Sequence, residues 1–245
     1  MIYFTSSWDD GALQDMKLAY LLDSFDQEAT FYIPLANVEK REVIGEHDIR
    51  MLSKRFEIGA HTMNHRYLNS LSDSDAHYEV NVCKKALEDI TQKEIFGFCF
   101  PGGKYGQRET DLVKAAGYKY ARTINQFRYC NGSKLMNTTL QAYDHSRLTY
   151  VKHLLKRSYF KELFVHFPLI MKTSGWQKLL LEMVRRESEI TTKEPSIIHL
   201  WGHSWELEER DMWTVLKDFL QEIKTLGIPS INNHQAMMTG GLKAW

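Results

Sequence analysis

Four short stretches of the 245-residue chain carry side chains that can do chemistry together. The first is Ser7-Trp8-Asp9-Asp10-Gly11. It sets two carboxylates side by side, then a residue that lets the backbone turn sharply and approach whatever the acids hold. Taken alone, Asp-Asp-Gly equally describes a turn followed by a helix N-cap. The second is His61-Thr62-Met63-Asn64-His65. Histidines four apart lie on one face of a helical turn, so both imidazoles can point at one ion. With ten histidines in the chain, a chance pair is the competing explanation. The third, Phe98 to Gly103, ends in Pro-Gly-Gly. Proline fixes one φ angle, and the glycines permit unusual ones and expose N–H groups suited to an oxyanion. By itself this is a commonplace turn. The fourth is Ile197 to Glu206, in which His203 lies just past an apolar run while His199 sits inside the run and packs there.

Each stretch closes a segment that reads as a strand. Ile2–Ser6, Ala29–Ile33, Glu57–Ala60, Ile95–Phe100, Tyr118–Thr123 and Ser196–Trp201 are short apolar runs, and Ile228–Ile231 is a last candidate. Between them, apolar residues step by three and four: Leu13, Met16 and Tyr20; Val80, Cys83, Leu87 and Ile90; Trp213, Leu216, Leu220 and Ile223. Gly117 and Gly227 end two of these helices. Strand-then-helix alternation predicts a parallel sheet with helical crossovers, closed or nearly closed into a barrel. Residues 126–192 break that rhythm with long helical patterns, Tyr150–Phe167 and Trp176–Ile190. They are expected to form a helical insertion over a single catalytic domain spanning 1–245.

Composition narrows the function classes. Lys+Arg and Asp+Glu balance at 31 each, which leaves no electrostatic footprint for nucleic acid. Hydrophobic residues at 43% and charged residues at 25% are a globular balance, sufficient for a core without disulfides. Cys83, Cys99 and Cys130 show no CxxC spacing, so reduced thiols are expected. Neither a signal-peptide pattern nor an apolar run long enough to span a bilayer is present, so a cytoplasmic location is the default expectation.

The order of the four motifs resembles that of the polysaccharide deacetylases, carbohydrate esterase family 4. That family carries a Thr/Ser-Phe-Asp-Asp-Gly motif, a His-Ser/Thr-x-x-His motif, a proline-containing third motif and a late Leu-x-His motif. The resemblance covers about residues 4–124 and 195–235. It implies an α/β fold of NodB-homology type, a distorted (β/α) barrel with about seven parallel strands. It further implies that Asp10, His61 and His65 bind a divalent ion, usually zinc, that Asp9 is the general base and that His203 is the general acid. Two features depart from the pattern. The arginine that often opens the third motif and orients the base is absent, with Cys99 at about that position. The Asp/Trp-containing fourth motif is not visible either, Asp144 being a weak stand-in.

The expected reaction is removal of an acetyl or other acyl group from an N- or O-acylated sugar or polysaccharide. A zinc-type ion strengthens a water nucleophile and polarises the acyl carbonyl, Asp9 and His203 move protons, and Pro101-Gly102 supplies an oxyanion N–H. Deformylation of a small sugar, or amidohydrolase action on a cyclic amide, is the alternative on the same scaffold. A catalytically silent carbohydrate-binding barrel is the alternative of another class. Trp8, Trp201 and Trp205 flank the motifs and either stack on sugar rings or pack in the barrel.

Overall fold

The computed structural model describes residues 1–129, 133–155, 160–190 and 195–239; Cys130 lies outside them. Strand β1 (Ile2–Asp9) leads to helix α1 (Asp15–Ser24), β2 (Thr30–Ile33) to α2 (Glu46–Leu52), and β3 (Glu57–Ala60) to α3 (Asp73–Thr91). Next come β4 (Gly97–Cys99), α4 (Gln107–Ala115), β5 (Tyr120–Arg122) and two short strands, β6 (Leu135–Met136) and β7 (Leu140–Gln141). Helices α5 (Arg147–Leu155), α6 (Phe160–Lys172) and α7 (Trp176–Glu189) follow. The long β8 (Ser196–His203) runs straight into α8 (Ser204–Glu209), with α9 (Trp213–Thr225) and α10 (Asn233–Thr239) last.

All eight strands pair in parallel, in the order β6-β5-β4-β3-β2-β1-β8-β7. The sheet curls into a distorted (β/α) barrel. Its end strands, β6 and β7, are consecutive in the chain and joined by residues 137–139, where the Thr139 and Thr138 carbonyls accept from the amides of Phe127 and Arg128 at 2.8 and 3.2 Å.

Alternation along β1 shows what the curl encloses, because successive side chains of a strand point to opposite faces. Phe4 packs edge-on to Phe219 of α9, and Trp8 lies against Gly202. These side chains belong to the large apolar layer between sheet and helices. The odd positions make polar contacts instead: Thr5 bonds Asn233, Ser7 bonds His199, and Asp9 bonds Arg122. A smaller apolar cluster of Tyr32, Cys99, Tyr120, Met136, Ile197, Ala236 and Met237 fills the inside, with α10 contributing the last two. Polar groups thread through this interior, from Thr5, Thr30, Glu57 and Asn233 near the strands' N-terminal ends to Asp9 at a C-terminal end, the end at which barrel enzymes assemble their sites.

Two sequence expectations need correction. Residues 126–192 are not wholly helical, because β6 and β7 come from this stretch and extend the sheet at both ends. Within Tyr150–Phe167 the described residues are helical, in α5 and α6. Ile228–Ile231 forms no strand but a single bridge from Ser230 to Phe4. Pro229 accepts from the Phe4 amide but has no N–H to give, so the ladder does not extend.

Candidate active site

The first motif occupies the end of β1 and the turn beyond it. Asp9 is the last residue of the strand, and Asp10 adopts φ 78°, followed by Gly11 at φ 60°. A left-handed conformation at a non-glycine residue costs on the order of 1–3 kcal/mol and persists only where its surroundings enforce it. Here it separates neighbouring carboxylates into different tasks. Asp9 keeps its strand orientation and points inside the barrel. Asp10 turns to face two histidines, with Nε2 of His61 and His65 lying 3.5 and 3.1 Å from its Oδ1.

Those histidines do not share a helical turn, contrary to the sequence expectation. Residues 61–65 form an irregular loop after β3, with Thr62 at φ 63° and His65 at φ 57°. These two left-handed residues fold the loop back, so the rings meet with centroids 5.0 Å apart. Buried Glu79 of α3 pins the loop by accepting from the Asn64 amide at 2.8 Å and its Nδ2 at 2.9 Å. The Met63 carbonyl accepts from the amides of Leu35 and Ala36, each at 3.0 Å.

The donor set fits a divalent cation. One ligand atom each from Asp10, His61 and His65 lies within 4.8 Å of the others, and all three residues are buried. Asp10 Oδ1, on which both imidazoles converge, has no hydrogen-bond partner among the described residues. His61 Nδ1 is 2.9 Å from the Cys99 carbonyl, to which it donates, leaving the Nε2 lone pair free. That is the tautomer a metal ligand requires. Asp10 Oδ2 accepts from Trp205 Nε1 at 2.9 Å, which orients the carboxylate.

His203 ends β8 in direct register with Asp9. Its Nδ1 is 2.7 Å from Glu206 Oε2, and its Nε2 is 3.9 Å from Asp10 Oδ2. Burial works to lower its pKa, but the hydrogen bond to Glu206, with Asp10 and Asp9 nearby, raises it to about 9. His199, four residues back, is buried and contacts the Ser7 hydroxyl at 2.8 Å and the Asn137 carbonyl at 3.2 Å. Burial lowers it to about 3, so it stays neutral as a packing residue.

Asp9 forms a buried ion pair with Arg122. Burial alone would push its carboxyl up, but the Arg122 guanidinium, helped by His61 and His203, holds it below the usual carboxylate range. The Cys99 thiol donates to Asp9 Oδ2 at 3.7 Å. The Pro101–Gly103 turn follows, with Gly102 at φ 60°. A Cβ on Gly102 would come within 3.0 Å of Tyr67, whose ring in turn stands against His65, so this turn forms the wall beside the histidine loop. The amides of Gly103 and Lys104 are spent on the Phe100 and Pro101 carbonyls.

The structure brings every sequence-predicted residue, namely Asp9, Asp10, His61, His65, Pro101, Gly102 and His203, to the C-terminal ends of β1, β3, β4 and β8. Residues 2–121 also match the sequence model described as Polysaccharide deacetylase. The chain belongs to the polysaccharide deacetylase family. It is 30% identical over 99 residues to a peptidoglycan-N-acetylglucosamine deacetylase of Bacillus cereus, covering 40% of this chain and 45% of that one. The chain spans less than half the length of each of the two curated relatives it matches. Among solved structures, a family 4 acetyl xylan esterase from Clostridium thermocellum, in complex with a cobalt ion, superposes with a TM-score of 0.61. It is 12% identical, over 99% of this chain and 93% of that one. A deacetylase solved with its substrate gives a TM-score of 0.57 at 15% identity, over 96% and 90% of the two chains.

Two residues of this site escaped the sequence reading: Arg122 at the end of β5 and Glu206 one helical turn after His203. A charged residue closing an otherwise buried strand was the available signal for Arg122, and the His-x-x-Glu spacing for Glu206. Asp144 serves elsewhere, accepting from the Trp176 amide at 2.9 Å to cap α7. Trp8 and Trp201 are buried, whereas Trp205 is partly exposed and lies under Arg41 at 3.6 Å. Among the described residues, no helix is long and apolar enough to cross a membrane.

Proposed function

We propose that this chain is a metal-dependent hydrolase that removes acyl groups, foremost acetyl, from N- or O-acylated sugars or polysaccharide. The observation that carries this reading is the convergence of Asp10, His61 and His65 beside two groups suited to proton transfer, Asp9 and His203. The cobalt ion in the acetyl xylan esterase supports a divalent cation at such a site. When bound by Asp10 and by Nε2 of His61 and His65, an ion of the zinc type supplies Lewis-acid polarisation of the acyl carbonyl.

The chain's own residues do the rest. Asp9, kept ionised, takes the proton of the attacking water. His203, protonated and aligned by Glu206, gives a proton to the departing amine or alcohol. The amide of Gly102 is the candidate donor to the acyl oxygen, a role in which one well-placed N–H is worth about 2.7–4 kcal/mol. Trp205, steadied by its bond to Asp10 and by Arg41, offers an aromatic face for a sugar ring.

Two substitutions test the assignments. Asp9→Asn and His203→Ala should both retain metal by elemental analysis and lose turnover by about 10²-fold or more. An Asp9→Asn enzyme within a few-fold of wild type would remove Asp9 from the role of base. Assaying acetate against formate release from model sugars identifies the acyl group, and formate alone would make the chain a deformylase.

A further inference from the structure

We infer that Arg122 is the positioning residue for Asp9, and that the arginine for this task has moved one strand sideways, from the position of Cys99 on β4 to β5. This rests on the proposed role of Asp9 as base.

Cys99 and Arg122 are register partners on adjacent parallel strands, both at the strand's C-terminal end. Each reaches the Asp9 carboxylate, Arg122 through Nη2 at Oδ1 and Cys99 through its thiol at Oδ2. The two side chains therefore divide between neighbouring rungs the space beside Asp9. An arginine at both positions would set two guanidinium groups into one buried volume, and the small Cys99 leaves room for the one on β5.

Arg122 also shows little of what holds an arginine for structural reasons. It is fully buried, yet among the described residues its Nε and Nη1 have no hydrogen-bond partner. Buried polar groups in folded proteins are nearly always paired, and an exception calls for an explanation. Its guanidinium carbon lies over the rings of Tyr32 and Trp201, 5.3 and 5.0 Å from their centroids. Those ring contacts hold the guanidinium beside Asp9 without engaging the other donors. The fold thus accepts two orphaned donors to keep one charged contact on the base.

The test is transplantation. Arg122→Ala should lower kcat by about 10²-fold while KM stays within about three-fold and metal content is unchanged, the pattern of a contact used only in the transition state. The exchange variant C99R/R122C, which returns the arginine to β4, should recover at least about ten-fold over R122C alone. Arg122→Lys keeps the charge but not the planar fork, and should fall between wild type and R122A. In an Asp9→Asn background, adding R122A should cost less than about three-fold, because a residue acting through Asp9 has nothing left to act on. Far-UV circular dichroism establishes that each variant is folded, and the exchange and lysine variants keep a cation in place if R122A is not. Full turnover in folded R122A, an exchange variant no better than R122C, or additive losses in the Asp9→Asn background would each overturn the assignment. A wild-type chain that releases no acyl group would instead refute the hydrolase reading itself.

Discussion

Arg122, at the end of β5, reaches across the inside of the curled sheet to the carboxylate of Asp9, at the end of β1. Three strands lie between them in the sheet, so the pair exists only because the sheet closes. Removing the arginine alone strands a buried carboxylate, and breaking a buried pair in this way costs about 3–5 kcal/mol. Arg122→Met should therefore lose stability of that order in urea unfolding. Adding Asp9→Asn, which removes the uncompensated charge, should return most of the loss. If the double variant is less stable than Arg122→Met, the pair does not account for the stability of this end of the barrel.

Glu206 is to His203 what Arg122 is to Asp9. Its contact with Nδ1 sets the tautomer and favours the charged ring, while Gln141 Nε2 holds the carboxylate from the side at 3.2 Å. Glu206→Gln keeps the shape and removes the charge. It should lower kcat by about 10-fold or more, because the general acid loses the group that orients it and holds its proton, with metal content unchanged. Equal kcat in variant and wild type would leave Glu206 a surface helix residue and nothing more.

The two supports show how far the sequence could lead. The ends of β1, β3, β4 and β8 were readable because strand-like runs of four to six residues stop at residues that do chemistry. The proposed ligand set, Asp10, His61 and His65, followed from the order of motifs and the family resemblance that order carries. The supports were hidden because each departs from an expected position. Cys99 stands where an arginine was anticipated, and no local pattern says that Arg122, 23 positions later, is its neighbour. Parallel pairing brings them together, and pairing is a property of the sheet. The same reason hid β6 and β7, each of two residues, too short to show a period of two. The histidine loop failed differently. A four-residue spacing suggested a helical turn, whereas left-handed Thr62 and His65 reach the same convergence without one.

Asp15 offers a separate check on the electrostatics of the site's floor. It is fully buried in the first turn of α1, where the Ser204 hydroxyl donates to Oδ1 at 2.5 Å and Oδ2 has no partner. Burial raises its pKa well above the usual value, the Ser204 bond opposes the rise, and nearby Asp10 and Asp9 add to it. With the folded-state pKa raised, the native protein holds this proton more tightly than the unfolded chain. Stability is therefore lost as pH climbs above about 3.9, the unfolded value.

Asp15→Asn removes the titrating group and keeps an acceptor for Ser204. Its Tm should exceed that of wild type at pH 8 by about 2 °C or more, as a gain near 1 kcal/mol implies for a chain of this size. The gain should shrink towards pH 4. A wild-type Tm equal to or above the variant's at pH 8 would show that Asp15 is not held against its charge.

The central claim is that Asp10, His61 and His65 hold an ion on which acyl hydrolysis depends. The most direct measurement is acetate release from N- and O-acetylated oligosaccharides by purified, chelator-stripped and zinc-restored protein, with zinc content determined in parallel and His65→Ala treated alongside. One equivalent of zinc, loss of acetate release on stripping, recovery on restoration, and neither zinc nor activity in His65→Ala is the predicted result. Acetate release that survives complete stripping, or zinc held at one equivalent by His65→Ala, would contradict the account.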